Sequence, residues 1–262
     1  MGLKPFWQDM TTTDFVGIDS DRSVAVLPIA AIEQHGPHLP LSTDTTLAEG
    51  YIDRVVALLP NEAQVSFLPV QAVGYSDEHL SFPGTLTHSA DLLVRIWTDL
   101  ARAVSRAGVR KLILVSSHGG NTPPADIVAR TMRAEIGMCV VTTSWLRFGM
   151  PDGLISEDER AYGIHGGDIE TSMMLHLRPD LVRMDEARDF SNRQKTHEEQ
   201  FKWLRAYGRM QFGWMSEDLN ANGVVGNASL ASAEKGRAII DHIARGFVEL
   251  IDDVQRFDMT QF

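Results

Sequence analysis

The chain reads as an α/β protein in which helices cover a mostly parallel sheet. Short apolar runs alternate with helix-period segments, the runs are too brief to be helices, and residues of the metal-ligand type gather just after them. The run 23–32 (SVAVLPIAAI) is too short and too apolar for anything but a buried strand. Leu47, Tyr51, Ile52, Val55, Val56 and Leu59 then recur at helical spacing and stop at Pro60, before a second strand at 65–70. Leu92, Leu93, Ile96, Leu100 and Val104 form the next helix, with Ser89 as N-cap and Gly108 as its stop, followed by a third strand at 111–116. Thr122 as N-cap, Pro123 at the first helical position and Gly137 at the end bound a helix carrying Ile127, Val128, Thr131, Met132 and Ile136. A fourth strand at 138–143 completes the alternation.

Residues 190–212 are polar and aromatic and 213–229 are rich in Gly and Asn, which predicts an irregular, partly exposed excursion. A final helix begins at Ser232 and presents Ile239, Ile240, Ile243, Phe247, Leu250, Ile251 and Val254 as one apolar stripe. No repeat or linker divides the chain, so one domain over residues 1–262 is expected.

A net charge of −11 argues against a broad nucleic-acid or anionic-membrane surface, because such interfaces need clustered basic side chains. There is no uninterrupted apolar window of about eighteen residues and no signal-peptide pattern, so the chain is expected to be cytoplasmic. Cys139 is the single cysteine, which excludes an intrachain disulfide framework and a thiolate-rich zinc cluster. Any metal must be held by nitrogen and oxygen.

Candidate residues follow each predicted strand: Glu33 and His35, then the stretch 75–79, then His118, then Trp145. In a parallel sheet these loops open on one edge. Glu33 alone reads as a solvated carboxylate. Together with His35 it reads differently, because alternate positions of an extended segment face one side, and the Gly36-Pro37 turn can return Asp44 towards them. Asp44 also reads as a helix cap, a role compatible with ligation through its other oxygen, while His38, between two prolines, reads as supporting structure. His118-Gly119-Gly120-Asn121 lets backbone approach a ligand, or is a glycine-rich turn with an incidental histidine. It lacks the lysine and hydroxyl of a phosphate loop. Asp168 and Glu170, in the first turn of a short helix, could merely complement its dipole, but that leaves His165 unexplained. His79 reads as a pocket wall or a supporting donor.

EQHGPHLPLSTD, SHGGN and HGGDIETS in that order, with GYSDEH and FPGT between the first two, resemble the creatininase (creatinine amidohydrolase) family of dinuclear metal hydrolases. The likeness runs from about Val24 to Pro179. It implies a three-layer sandwich and a pair of divalent ions, zinc first, with manganese or iron as alternatives. Glu33, His35, Asp44 and His118 match the family's ligands, with Asp44 bridging, and His165 matches a proton-transfer histidine. Glu170 matches the carboxylate of the last block, with His79 and Trp145 as substrate-binding candidates. One departure stands out: creatininase proper carries a ligating Glu two residues after the histidine matching His118, and here that position is Gly120. Glu170 is expected to take over that ligation. The resemblance further implies a small-molecule substrate and a homo-oligomer, often a hexamer.

The expected activity is hydrolysis of a small, cyclic amide by a metal-activated hydroxide, with His165 protonating the departing nitrogen. A formamide-hydrolysing or cyclitol ring-opening reaction, peptide trimming and a catalytically silent metal-binding protein are the alternatives. Phosphoester hydrolysis is disfavoured, because no Arg or Lys accompanies the ligand motifs.

Overall fold

Val24, Val26, Ile113 and Val115 point to one face of the sheet and Ala25, Leu27, Ile29, Leu112 and Leu114 to the other, as the period of two along a strand requires. Both faces are covered by helices, so the strands Val24–Ile29 and Lys111–Ser116 are buried along their whole length. The computed structural model describes residues 3–261. In chain order it runs β1 (Val24–Ile29), α1 (Thr43–Leu58), β2 (Val65–Phe67), α2 (Ala90–Arg106), β3 (Lys111–Ser116), α3 (Thr122–Ile136) and β4 (Cys139–Ser144). The second half contains α4 (Glu157–Tyr162), α5 (Asp168–Leu177), β5 (Asp189–Phe190), α6 (Gln194–Gln200), α7 (Ser216–Leu219), β6 (Gly226–Asn227) and α8 (Ala233–Arg256).

The four-stranded sheet has the order β2-β1-β3-β4 with every pair parallel. On one face Leu47 and Tyr51 of α1, Met173 of α5 and Ile243 and Phe247 of α8 fill the core; on the other, Leu93 and Trp97 of α2 pack with Val128 and Met132 of α3. Burying each such side chain contributes about 1.5–3 kcal/mol, and these two layers clamp the sheet. β1 feeds β2 on one side and lies beside β3 on the other, so the strand order reverses at the β1/β3 boundary. A crevice opens at the carboxyl ends of strands at such a reversal.

The expected strands are all present; β3 has the expected ends and the other three are shifted. The helix expected to be capped by Thr122 begins at that residue instead, because a 3-10 turn at Gly119–Asn121 leads into it and Asn121 occupies the cap. Ser232 does cap the last helix, accepting the Lys235 N–H at 3.3 Å. The segment expected to be irregular contains α6, α7 and the antiparallel β5/β6 pair, in which Asp189 faces Asn227. Among the described residues, no helix is long and apolar enough to cross a membrane.

Candidate metal centre

Glu33 and His35 leave the end of β1, and His118 leaves the end of β3 beside it. Asp44 enters from the first turn of α1, which Thr43 anchors by donating its hydroxyl to the Pro40 carbonyl at 2.7 Å. Glu170 comes from the first turn of α5, and His165 from the loop before it, where it bridges to Val225. Ligand-type atoms of Glu33, His35 and Asp44 all lie within 4.8 Å of one another, as do those of His35, His165 and Glu170, and those of Glu33, His79 and His165. His118 joins through Nδ1, 3.1 Å from Glu33 Oε1 and 3.9 Å from Asp44 Oδ2.

Asp44 spans the cluster. Its Oδ1 lies 3.9 Å from His35 Nε2 while its Oδ2 faces His118. Glu170 Oε2 lies 3.8 Å from the same His35 nitrogen and accepts the Gly166 N–H at 2.6 Å. Glu33 is fully buried and Asp44 is 1% exposed. Both Glu33 carboxylate oxygens, Asp44 Oδ2 and His35 Nε2 are buried without a hydrogen-bond partner. Among the described residues, the ion-pair partners of Glu33, Asp44 and Glu170 are all imidazoles. An uncompensated buried charge costs several kcal/mol, so an arrangement of this kind calls for cations.

The hydrogen bonds around the rim orient the imidazoles. His35 Nδ1 donates to the Glu33 carbonyl at 3.1 Å, which leaves Nε2 to face Asp44 and Glu170. His118 Nε2 donates to the Tyr75 carbonyl at 2.7 Å, which directs Nδ1 at the carboxylates. Histidine ligands are held in this manner, through a donor bond from the far nitrogen. His165 Nε2 donates to the Gln34 carbonyl at 2.9 Å, and its Nδ1 lies 3.8 Å from Glu33 Oε1.

Titration follows the crowding of charge. Burial, then the neighbouring Glu33 carboxylate, hold the Asp44 carboxyl well above the usual range, and burial also raises Glu170. Burial alone would lower the His118 imidazole, but the facing carboxylates of Glu33, Asp44 and Glu78 outweigh it and push it up to about 10. Burial takes His79 the other way, down to about 3.

Gly120 cannot carry a side chain here. A Cβ would sit 2.4 Å from both His118 Nε2 and the Tyr75 carbonyl and 2.9 Å from Glu78 Oε1. Trp145 is not brought to the cluster. Its indole is 1% exposed in the core, stacked on Tyr51 at 4.8 Å and against Phe247 at 4.5 Å. His38 stands behind the site, with Nε2 on the Gly166 carbonyl at 2.9 Å. Asp168 is engaged elsewhere, pairing with Lys235 at 2.6 Å and accepting from Ser172 at 2.9 Å.

A match to the creatininase (creatinine amidohydrolase) family extends over residues 8–251, nearly the whole chain. The chain belongs to the creatininase family. Similar proteins include the mycofactocin precursor peptide peptidase of Mycobacterium tuberculosis, 32% identical over 88% of this chain and 82% of that protein. The creatinine amidohydrolase of Pseudomonas putida is 28% identical over 87% and 88%, and the 3-dehydro-scyllo-inosose hydrolase of Thermotoga maritima 23% over 96% and 84%. Among solved structures, a creatininase variant complexed with creatine superposes with a TM-score of 0.75 at 26% identity, covering 96% of this chain and 98% of the other. A manganese form of creatininase gives 0.74 at 25% identity over 97% and 100%.

Within this creatininase-family site, several residues escaped the reading of the motifs. Gln34 sits between two ligand-type residues and carries no metal-binding chemistry of its own. Tyr51 donates to Met173 Sδ at 2.8 Å, and burial together with the Glu170 and Asp44 charges raises its phenol well above the ordinary value. Glu159 accepts the N–H groups of Asp168 at 2.7 Å and Asn227 at 2.8 Å, tying the start of α5 to β6. Ser156, which caps the helix by accepting the Glu159 N–H at 3.1 Å, and the acidic first turn at Glu157, Asp158 and Glu159 are the local signals of a helix there, and no spacing signalled its distant partners.

Proposed function

We propose that this creatininase-family chain is a dinuclear metal-dependent hydrolase of an amide C–N bond, first of all in a small cyclic amide. The carrying observation is the convergence of buried acceptor atoms on Glu33, His35 and Asp44 with no hydrogen bond to any of them. Three carboxylates and two imidazoles without a thiolate form a donor set suited to zinc, manganese or iron. His35, Asp44 and Glu170 would hold one ion, and Glu33, Asp44 and His118 the other. Bound there, divalent ions supply Lewis-acid polarisation of a carbonyl and lower the pKa of water from about 15.7 to roughly 7.

The chain's own residues supply the rest. The far nitrogen of His165 donates to the Gln34 carbonyl, so in the neutral ring Nδ1 is the lone-pair nitrogen that faces the cluster. That atom can take the proton released as water adds to the carbonyl, then deliver it to the nitrogen as the C–N bond breaks. Glu170, held by the Gly166 N–H, supports the ligation that Gly120 cannot supply.

Elemental analysis with a screen of cyclic amides for ring opening, read as a mass gain of one water, tests the reading. Two ions per chain and turnover of a cyclic amide are expected. One ion or none, with no turnover of any amide, would instead identify a silent metal-binding protein. A second reading, a peptide amide as substrate, is favoured by the relatives that are precursor-peptide peptidases. Cleavage of peptides but of no cyclic amide would select it and leave the metal chemistry intact.

A further inference from the structure

We infer that Gln34 is a positioning residue that fixes which nitrogen carries the proton on two histidines at once, His79 through its side chain and His165 through its backbone. The side chain is 5% exposed and its orientation is over-determined. Oε1 accepts the Gly36 N–H at 3.0 Å, a group that can only donate, while Nε2 lies 2.6 Å from the Gly223 carbonyl, which can only accept. The carboxamide therefore cannot be turned over. Its remaining N–H lies 2.8 Å from His79 Nδ1 and 3.2 Å from His165 Nε2; because His165 Nε2 is itself the donor to the Gln34 backbone carbonyl, the N–H goes to His79 Nδ1, and the His79 proton must sit on Nε2. His79 Nε2 in turn lies 3.3 Å from Glu33 Oε1. A proton there faces the Glu33 carboxylate and steadies it.

The backbone of the same residue governs the second ring. The Gln34 carbonyl can only accept, so His165 must donate to it from Nε2. In the neutral ring this makes Nδ1 the lone-pair nitrogen, 3.8 Å from Glu33 Oε1. Gly223 completes the device. It holds φ at +73°, and a Cβ on it would fall 2.6 Å from Gln34 Oε1, so only glycine lets its carbonyl reach the carboxamide.

The inference rests on the metal-site reading only for the purpose of these protons. The protons themselves are observed without turnover, so failure of the hydrolase reading and failure of this one are separate results. The experiment is long-range proton–nitrogen correlation NMR on zinc-loaded protein labelled with nitrogen-15 in histidine, assigned by single His→Gln variants. The expected spectrum has His79 and His165 both protonated on Nε2. In Gln34→Glu the carboxylate cannot donate, so His79 should move its proton to Nδ1 while His165, held by the backbone, stays unchanged. Gln34→Leu should leave His79 a mixture of both forms. Zinc affinity should fall about 10- to 100-fold in either variant, the usual effect of losing support behind a ligand. A wild-type His79 protonated on Nδ1, or a Gln34→Glu spectrum with His79 unchanged, would overturn the inference. Should a variant fail to fold, the wild-type spectrum still decides.

Discussion

Replacing Asp44 by Asn keeps the side-chain volume and removes the charge that two ions would share. In the metal-free protein the change should be neutral or stabilising, because burial and the Glu33 charge already hold this carboxyl well above its usual range. A carboxyl held there gives up little buried charge when it becomes an amide. With zinc present the sign should reverse. A site filled at a thousand times its dissociation constant stabilises the fold by about 4.1 kcal/mol. For a chain of this size that is a rise in Tm of roughly 8–16 °C per ion, taking about 2–4 °C for each kcal/mol. Asp44 faces both His35 and His118, at 3.9 Å from each, so the variant should lose the zinc-dependent rise for both ions. Thermal unfolding with zinc and with chelator, alongside elemental analysis, reads both signs. A variant that keeps two ions per chain and the full zinc-dependent rise would refute the bridging argument.

His118 makes the metal-free protein sensitive to alkali. Its imidazole titrates near 10 when folded against an ordinary value of 6.5, so its contribution is complete below 6.5 and disappears as pH climbs through about 10. Chelator-treated protein should therefore lose Tm across that window, while zinc-loaded protein should not; parallel curves would contradict it. Loading at pH 7 should also release a proton from His118, visible with an indicator dye in weak buffer. Gly120→Ala should cost about 1–3 kcal/mol by overpacking and should weaken zinc binding by turning His118, both measured by unfolding and zinc titration. His165→Gln should abolish amide turnover with two ions still bound, and loss of the ions instead would make His165 a ligand. Glu159→Gln should destabilise by about 1–3 kcal/mol, because an amide N–H would face one of the N–H groups of Asp168 and Asn227.

The strands were legible because each is a short apolar run between breakers, and β3 at Lys111–Ser116 matches its run residue for residue. Hydrophobic period and helix punctuation are local properties, readable without knowing what packs on what. The cluster of Glu33, His35 and Asp44 was legible for a similar reason, since they lie within twelve residues of one another on a bent segment. Trp145 shows the opposite case. A position after a strand admits either a pocket wall or a core residue, and the neighbouring Tyr51 and Phe247, from α1 and α8, decide for the core.

Residue type and order alone therefore settled the α/β class and the family, and with one cysteine in the chain they excluded a thiolate-rich cluster. Which atoms meet was settled by the packing of distant segments. The β1/β3 adjacency sets His118 beside Glu33, and the docking of α5 on α8 carries Glu170 and His165 to the same crevice. The Gly223 carbonyl reaches Gln34 across 189 positions of chain. Contacts between remote segments leave no periodic trace, because no local rule couples residues that only the closed core brings together.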